Sequence, residues 1–160
     1  MCGIIGITSN KTVSSAIINS LRKLEYRGYD SAGIATLSNG VINEIKSEGR
    51  VNNLEKNLDV KNMSGTVGIG HVRWATHGIP NTVNAHPHSS EKVSIVHNGI
   101  IENSTILKKY LIGKGHIFKS QTDTEVIVHL ITEYLKVDNL KNSIIKMLKQ
   151  LHGSFALGII

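Results

Sequence analysis

Met1-Cys2-Gly3-Ile4-Ile5-Gly6-Ile7-Thr8 opens the chain, and its reading decides the fold. Cys2 is the single cysteine and directly follows the initiator methionine. Once Met1 is removed, one residue carries both a thiol and a free α-amine. A thiol is a strong nucleophile when deprotonated, with an ordinary pKa of about 8.5. An α-amine titrates at about 7.7–8.0, so much of it is neutral near physiological pH. Nucleophile and base then sit on one residue, as with an N-terminal threonine and its amine. An incidental thiol at a frayed terminus is the alternative. Against that stands the apolar run Ile4-Ile5-Gly6-Ile7, which starts at once and makes position 2 the mouth of a buried strand.

The rest of the composition narrows the class. A length of 160 residues with 40% hydrophobic residues suits one globular domain with a real core. A lone cysteine excludes an internal disulfide and, with no secretory leader pattern, predicts a cytoplasmic setting. No apolar run approaches the roughly 18 residues of a membrane span. The formal charge of +6 permits an anionic partner. However, lysine and arginine are scattered in runs no longer than two and are not interleaved with aromatics, so no nucleic-acid partner is expected.

Working outward from residue 8, apolar Val13, Ala16, Ile17, Leu21 and Leu24 recur at helical spacing and predict a helix over 12–25, capped by Thr12 or Asn10. The polar loop Glu25-Tyr26-Arg27-Gly28-Tyr29-Asp30-Ser31-Ala32-Gly33 leads into a strand over 34–37, with an internal Arg–Asp pair as its plain structural reading. Ser38-Asn39-Gly40 marks a hairpin, with a returning strand over 41–45. A short helix is expected over 49–58 and a strand over 66–72, which runs into Arg73-Trp74-Ala75-Thr76-His77-Gly78. A strand over 93–96 delivers His97-Asn98-Gly99, and a helix follows over 101–111. Thr122-Asp123-Thr124-Glu125 has the form of a capping box and opens another helix. A last helix over 140–151 precedes a strand over 155–160. Because the chain stops within that apolar strand, residues 1–160 are expected to be the front part of a larger domain.

The unusual polar chemistry gathers in a few loops. A cysteine acyl-transfer site needs a nucleophile, a base, two oxyanion donors and groups that recognise substrate. Cys2 can supply the first two. The Asn98 amide and the Gly99 N–H can form an oxyanion hole, although Asn-Gly is also a common turn dipeptide. Arg73 can grip a carboxylate bidentately, and Asp123 can pair with an ammonium; together they would suit a free amino acid. Each also has a structural reading, Arg73 as an ion pair and Asp123 as a helix cap. His71, His77, His86, His88 and His97 lie close in sequence but lack a zinc spacing, so no metal is expected. His97, in a valine-rich strand, reads as a hydrogen-bonded core residue.

In order along the chain, Cys2-Gly3-Ile4, Leu24 through Gly33, Arg73-Trp74-Ala75-Thr76-His77-Gly78, Asn84-Ala85-His86-Pro87-His88, His97-Asn98-Gly99-Ile100-Ile101-Glu102-Asn103 and Thr122-Asp123-Thr124-Glu125-Val126-Ile127 form one specific set. The set resembles the glutaminase domain of class II glutamine amidotransferases, which are N-terminal-nucleophile (Ntn) hydrolases, and most closely that of the glutamine–fructose-6-phosphate aminotransferase (glucosamine-6-phosphate synthase) family. The amidophosphoribosyltransferases and asparagine synthetases share the Cys-Gly start and an Arg-Gly loop but differ in the other strings.

The resemblance implies an α+β fold, a four-layer αββα sandwich of two antiparallel sheets, incomplete at the C-terminus. It implies a catalytic Cys2, with Asn98 and Gly99 holding the oxyanion. Arg73, Thr76 and His77 would bind the α-carboxylate of L-glutamine and Asp123 its α-amino group. Trp74 would close over the substrate, and Arg27 and Gly28 would support the nucleophile. No cofactor or metal is implied. Fructose 6-phosphate would bind only to sugar-isomerase domains that lie outside residues 1–160, in a homodimeric parent enzyme. The alternatives are a sister amidotransferase with another ammonia acceptor and an inactive truncated remnant.

Overall fold

The structure, a computed structural model, describes residues 2–56, 63–75 and 78–160. Strand β1 (Gly3–Thr8) pairs antiparallel with β4 (Val67–Arg73), which pairs with β2 (Ser31–Ser38), which in turn pairs with β3 (Val41–Glu48). The first sheet therefore runs β1-β4-β2-β3. Its central position gives β4 neighbours on both sides, with His71 opposite Ile4 of β1 and Gly33 of β2. The hairpin between β2 and β3 turns on Asn39 and Gly40, both at positive φ (50° and 78°) as a two-residue type I′ loop demands.

The second sheet runs β5 (His88–Ser89), β6 (Ser94–Ile101) and β7 (Gly153–Ile159), all antiparallel. Helices α1 (Ser14–Leu24) and α2 (Val51–Lys56) cover the outer face of the first sheet, where Ile17, Leu21, Ile34, Leu54 and Val72 are buried. Helices α3 (Ser104–Gly113), α4 (Glu125–Tyr134) and α5 (Leu140–Gln150) cover the second through Ile95, Ile101, Leu111, Ile127, Leu130 and Met147. A small middle cluster of Ala35, Ile69 and Val96, with Ile4 and Ile42 against it, closes the gap between the sheets. The result is the α+β fold with αββα layering that the resemblance implied. Period-two alternation decides which layer each strand residue meets: Ile69 looks into the middle layer and Val72 toward the helices.

Several local expectations are corrected. Helix α1 starts at Ser14 after Val13, which makes no side-chain cap bond, so neither Thr12 nor Asn10 caps it. Thr122 and Glu125 do not form a capping box. Thr124 precedes α4 without a side-chain cap bond. The Glu125 carboxylate instead accepts from the backbone N–H groups of Lys119 (2.8 Å) and Ser120 (2.7 Å). The dipeptide Asn98-Gly99 lies inside β6, paired with Ala156 and Phe155, and is not a turn. Arg27 donates to the Tyr26 hydroxyl, and Asp30 accepts from Ala75 N–H, so the loop is not held by an Arg27–Asp30 pair. Among the described residues, no helix is long and apolar enough to cross a membrane.

Candidate active site

The antiparallel pairing Gly3↔Val72 sets the start of β1 beside the end of β4, and so puts Cys2 next to Trp74. Trp74 N–H donates to the Cys2 sulfur at 3.2 Å, and the thiol faces the Trp74 carbonyl at 3.5 Å. The loop 28–30 braces this segment from behind. Asp30 N–H donates to the Arg73 carbonyl (3.0 Å), and Ala75 N–H donates to the Asp30 carboxylate (2.8 Å). Gly28 is needed for the approach. A Cβ there would stand 2.6 Å from the Arg73 carbonyl carbon and 2.7 Å from Trp74 N. The indole of Trp74 is exposed and meets Tyr29 edge-on at 5.7 Å.

Strand β6 brings the second group. Asn98 Nδ2 donates to the Cys2 carbonyl at 3.1 Å. Gly99 follows at φ 128°, where a Cβ would lie 2.1 Å from the Ser154 carbonyl oxygen of β7. Asp123, just before α4, accepts from Ile101 N–H at 2.8 Å, which ties the loop to the end of β6. Cys2, Arg73, Trp74, Asn98, Gly99 and Asp123 line one narrow cavity of about 50 Å³, together with His86, His97, Thr122 and Thr124. A wider cleft of about 420 Å³ adjoins Asp123 and passes Glu102 and Lys108, but Cys2 does not line it.

The charges in this cavity are held at close quarters. Arg73 is buried, and desolvation lowers its proton affinity, while the nearby charges of Cys2, Asp30 and Asp123 act in the opposite sense. Behind it lies a layer of buried histidines. His71 Nε2 stands 3.1 Å from the His97 carbonyl. A carbonyl only accepts, so Nε2 carries the proton. The Thr124 hydroxyl bridges His86 Nε2 and His97 Nδ1, each at 2.8 Å, and Thr122 reaches His88 Nε2 at 3.0 Å. Burial pushes His71 and His88 down to about 3 and lowers His86 and His97 as well. These imidazoles are neutral hydrogen-bonding core groups at neutral pH. Among the described residues, no cluster of three or more His, Cys, Asp or Glu side chains is placed to hold a metal ion.

The glutamine amidotransferase domain model matches residues 71–160, more than half of the chain. The chain belongs to the glutamine amidotransferase domain family. A glutamine–fructose-6-phosphate aminotransferase [isomerizing] of Clostridium acetobutylicum is 52% identical over 162 residues, covering 100% of this chain and 26% of the relative. The protein of that name from Mesorhizobium japonicum is 51% identical over 99% of the chain and 26% of its own length. Thus this amidotransferase domain spans about a quarter of the curated relatives it matches. Among solved structures, glutamine phosphoribosylpyrophosphate amidotransferase from B. subtilis superposes with a TM-score of 0.87 at 30% identity, covering 100% of this chain and 35% of that one. The αββα sandwich is accordingly the Ntn amidotransferase fold.

Of the sequence-derived candidates in this amidotransferase domain, Cys2, Arg73, Trp74, Asn98, Gly99 and Asp123 converge. Gly28 lies directly behind them, whereas Arg27 turns toward the exposed Tyr26. Thr76 and His77 fall outside the described residues. Sequence reasoning missed the bracing contacts of Asp30 and the Thr124 bridge, because both join residues far apart in the chain.

Proposed function

We propose that this domain hydrolyses L-glutamine to glutamate and ammonia, with Cys2 as the N-terminal nucleophile. The observation that carries the reading is the meeting of a terminal thiol, the Asn98 amide and two opposite charges, Arg73 and Asp123, around one cavity. The sulfur attacks the side-chain amide carbon of glutamine, and the freed α-amine takes the thiol proton through water. Asn98 Nδ2 and Gly99 N–H hold the resulting oxyanion. The α-amine returns its proton to the leaving nitrogen, ammonia departs and a thioester remains. Water, deprotonated by the same amine, cleaves the thioester to glutamate. Arg73, with Thr76 and His77, binds the α-carboxylate, and Asp123 binds the α-ammonium. Trp74 closes over the substrate, and Gly28 supports the nucleophile loop, whereas Arg27, turned to Tyr26, takes no part in it.

The ammonia passes to fructose 6-phosphate, giving glucosamine 6-phosphate, at sugar-isomerase domains outside residues 1–160. Identity of 52% with an aminotransferase of that specificity, against 30% with the phosphoribosylpyrophosphate enzyme, favours this acceptor. A homodimeric, cytoplasmic parent enzyme goes with it. The test is transfer by the intact protein of the 15N label from amide-labelled glutamine, in the presence of fructose 6-phosphate or of phosphoribosyl pyrophosphate. Label in glucosamine 6-phosphate supports the proposal; label in phosphoribosylamine shifts the acceptor to the sister class. No release of labelled ammonia or labelled product, with no reaction of Cys2 toward a glutamine-like diazo ketone, would mark an inactive remnant.

A further inference from the structure

One stripe of α4 carries polar groups that glutamine hydrolysis does not use. Glu125, His129 and Glu133 recur every four residues, so the helix sets them on one face. The loop after α3 lays His116 against that stripe. His116 Nε2 stands 3.0 Å from the Glu133 carboxylate, and His116 Nδ1 stands 3.1 Å from His129 Nδ1. His129 Nε2 is buried and faces Glu125 at 3.5 Å, where it closes no hydrogen bond. The two imidazole side chains are only 10% and 15% exposed, so packing fixes how they meet.

The protons on these rings can be counted. An ionised carboxylate only accepts, so each ring turns an N–H, at Nε2, to its glutamate. A neutral imidazole then keeps a lone pair at Nδ1. Two lone pairs therefore meet at 3.1 Å, and a positive charge is needed to hold them there. A shared proton bonds best with donor, hydrogen and acceptor in line. The ring centres are 4.8 Å apart, closer than two rings in line at that nitrogen separation would be, so the lone pairs are bent off the line joining the nitrogens. Two ligands of one metal ion are bent in this way. Zinc–nitrogen bonds of about 2.0–2.1 Å at a tetrahedral angle put the nitrogens about 3.3 Å apart. A carboxylate on the other ring nitrogen is the usual partner of a metal-bound histidine. His129 also lines a cavity of about 340 Å³ with Lys119, Ser120 and Glu125, where water can complete the coordination.

We propose that His116 and His129 bind one divalent transition-metal ion of the zinc class through their Nδ1 atoms, with Glu133 and Glu125 orienting the rings. The ion staples the loop after α3 to α4. The inference is independent of the reading of Cys2. The test uses the intact protein after treatment with iodoacetamide, because the thiolate of Cys2 is itself a metal ligand. Zn2+ is titrated, in competition with a chromophoric chelator, into the parent and into His116→Gln, His129→Gln and Glu133→Gln. The parent is expected to bind one more Zn2+ per chain, at micromolar concentration, than either histidine variant. Glu133→Gln should keep that stoichiometry and weaken the site about 10–100-fold. Zn2+ should also raise the thermal midpoint of the parent and not that of His129→Gln, since an ion that binds only the native state stabilises it. If a histidine variant does not fold, Glu133→Gln carries the comparison. Equal zinc stoichiometry in the parent and the histidine variants would leave a shared proton only and overturn the proposal. Parent-like affinity in Glu133→Gln, or the same zinc-dependent midpoint shift in His129→Gln, would overturn it as well.

Discussion

Trp74 N–H donates to the sulfur of Cys2 at 3.2 Å, across 72 positions of sequence. The contact follows from strand pairing: β1 and β4 run antiparallel, so the chain's first residues meet the residue that leaves the end of β4. Asp30 and Gly28 then lock that exit in place. Cys2 is thus positioned by the first sheet, and the groups around it come from strand β6 of the second sheet and the loop before α4.

Asn98→Ala should slow glutamine hydrolysis about 10²–10³-fold in kcat with little change in KM, because the donor acts mainly on the developing oxyanion. Steady-state kinetics of the intact protein measure this. A KM effect without a kcat effect would assign Asn98 to ground-state binding.

Asp123→Asn is a clean probe of the ammonium contact. The amide oxygen of asparagine can still accept the hydrogen bond from Ile101 N–H, so the loop stays anchored while the charge is lost. KM for glutamine should rise about 10–100-fold, in line with a charge-assisted hydrogen bond. An unchanged KM would remove Asp123 from substrate binding.

Gly99→Ala should destabilise the fold by about 3 kcal/mol, since φ 128° is strained for alanine and its Cβ would meet backbone, which cannot swing away. Denaturant titration measures the loss. A change within about 0.5 kcal/mol would mean that β6 and β7 separate easily at this point.

Acid should destabilise the domain above the usual carboxylate range. His71 and His88 hold folded values of about 3 against an ordinary value of about 6.5. The unfolded chain therefore binds more protons than the native state throughout that interval. Stability is fully present above about pH 6.5 and falls as pH drops toward 3, at up to about 1.4 kcal/mol per pH unit for each such histidine. Glu125, whose burial is outweighed by His129 at 3.5 Å and by hydrogen bonds from Lys119 and Ser120, is held at about 2 and adds to the loss below the ordinary glutamate range. Urea midpoints should decline between pH 7 and pH 5. A flat profile there would show that the histidine layer is hydrated.

Much of the order of strands and helices was legible in the sequence because it rests on periodicity, whereas the αββα layering was implied by the resemblance. Ile4, Ile5 and Ile7 mark β1, and Ile17 and Leu21 mark α1. The helix caps were not, because capping side chains were drawn to distant partners. Glu125 serves the 119–120 backbone, and the Thr124 hydroxyl is taken by His86 and His97. The histidines were legible as unusual but not as a layer, since sheet packing alone brings His71, on β4, against β6. Cys2, Asn98 and Asp123 were singled out by residue type; their meeting around one cavity depended on a fold that spacing cannot supply.

The most direct measurement is glutamine hydrolysis by the intact protein carrying Cys2→Ala, beside the parent with its N-terminus checked by mass spectrometry. The account predicts no glutaminase activity in the variant, retained ammonia-dependent synthesis, and activity in the parent only where Met1 has been removed. Equal glutaminase rates in variant and parent, or an active form that keeps Met1, would contradict it.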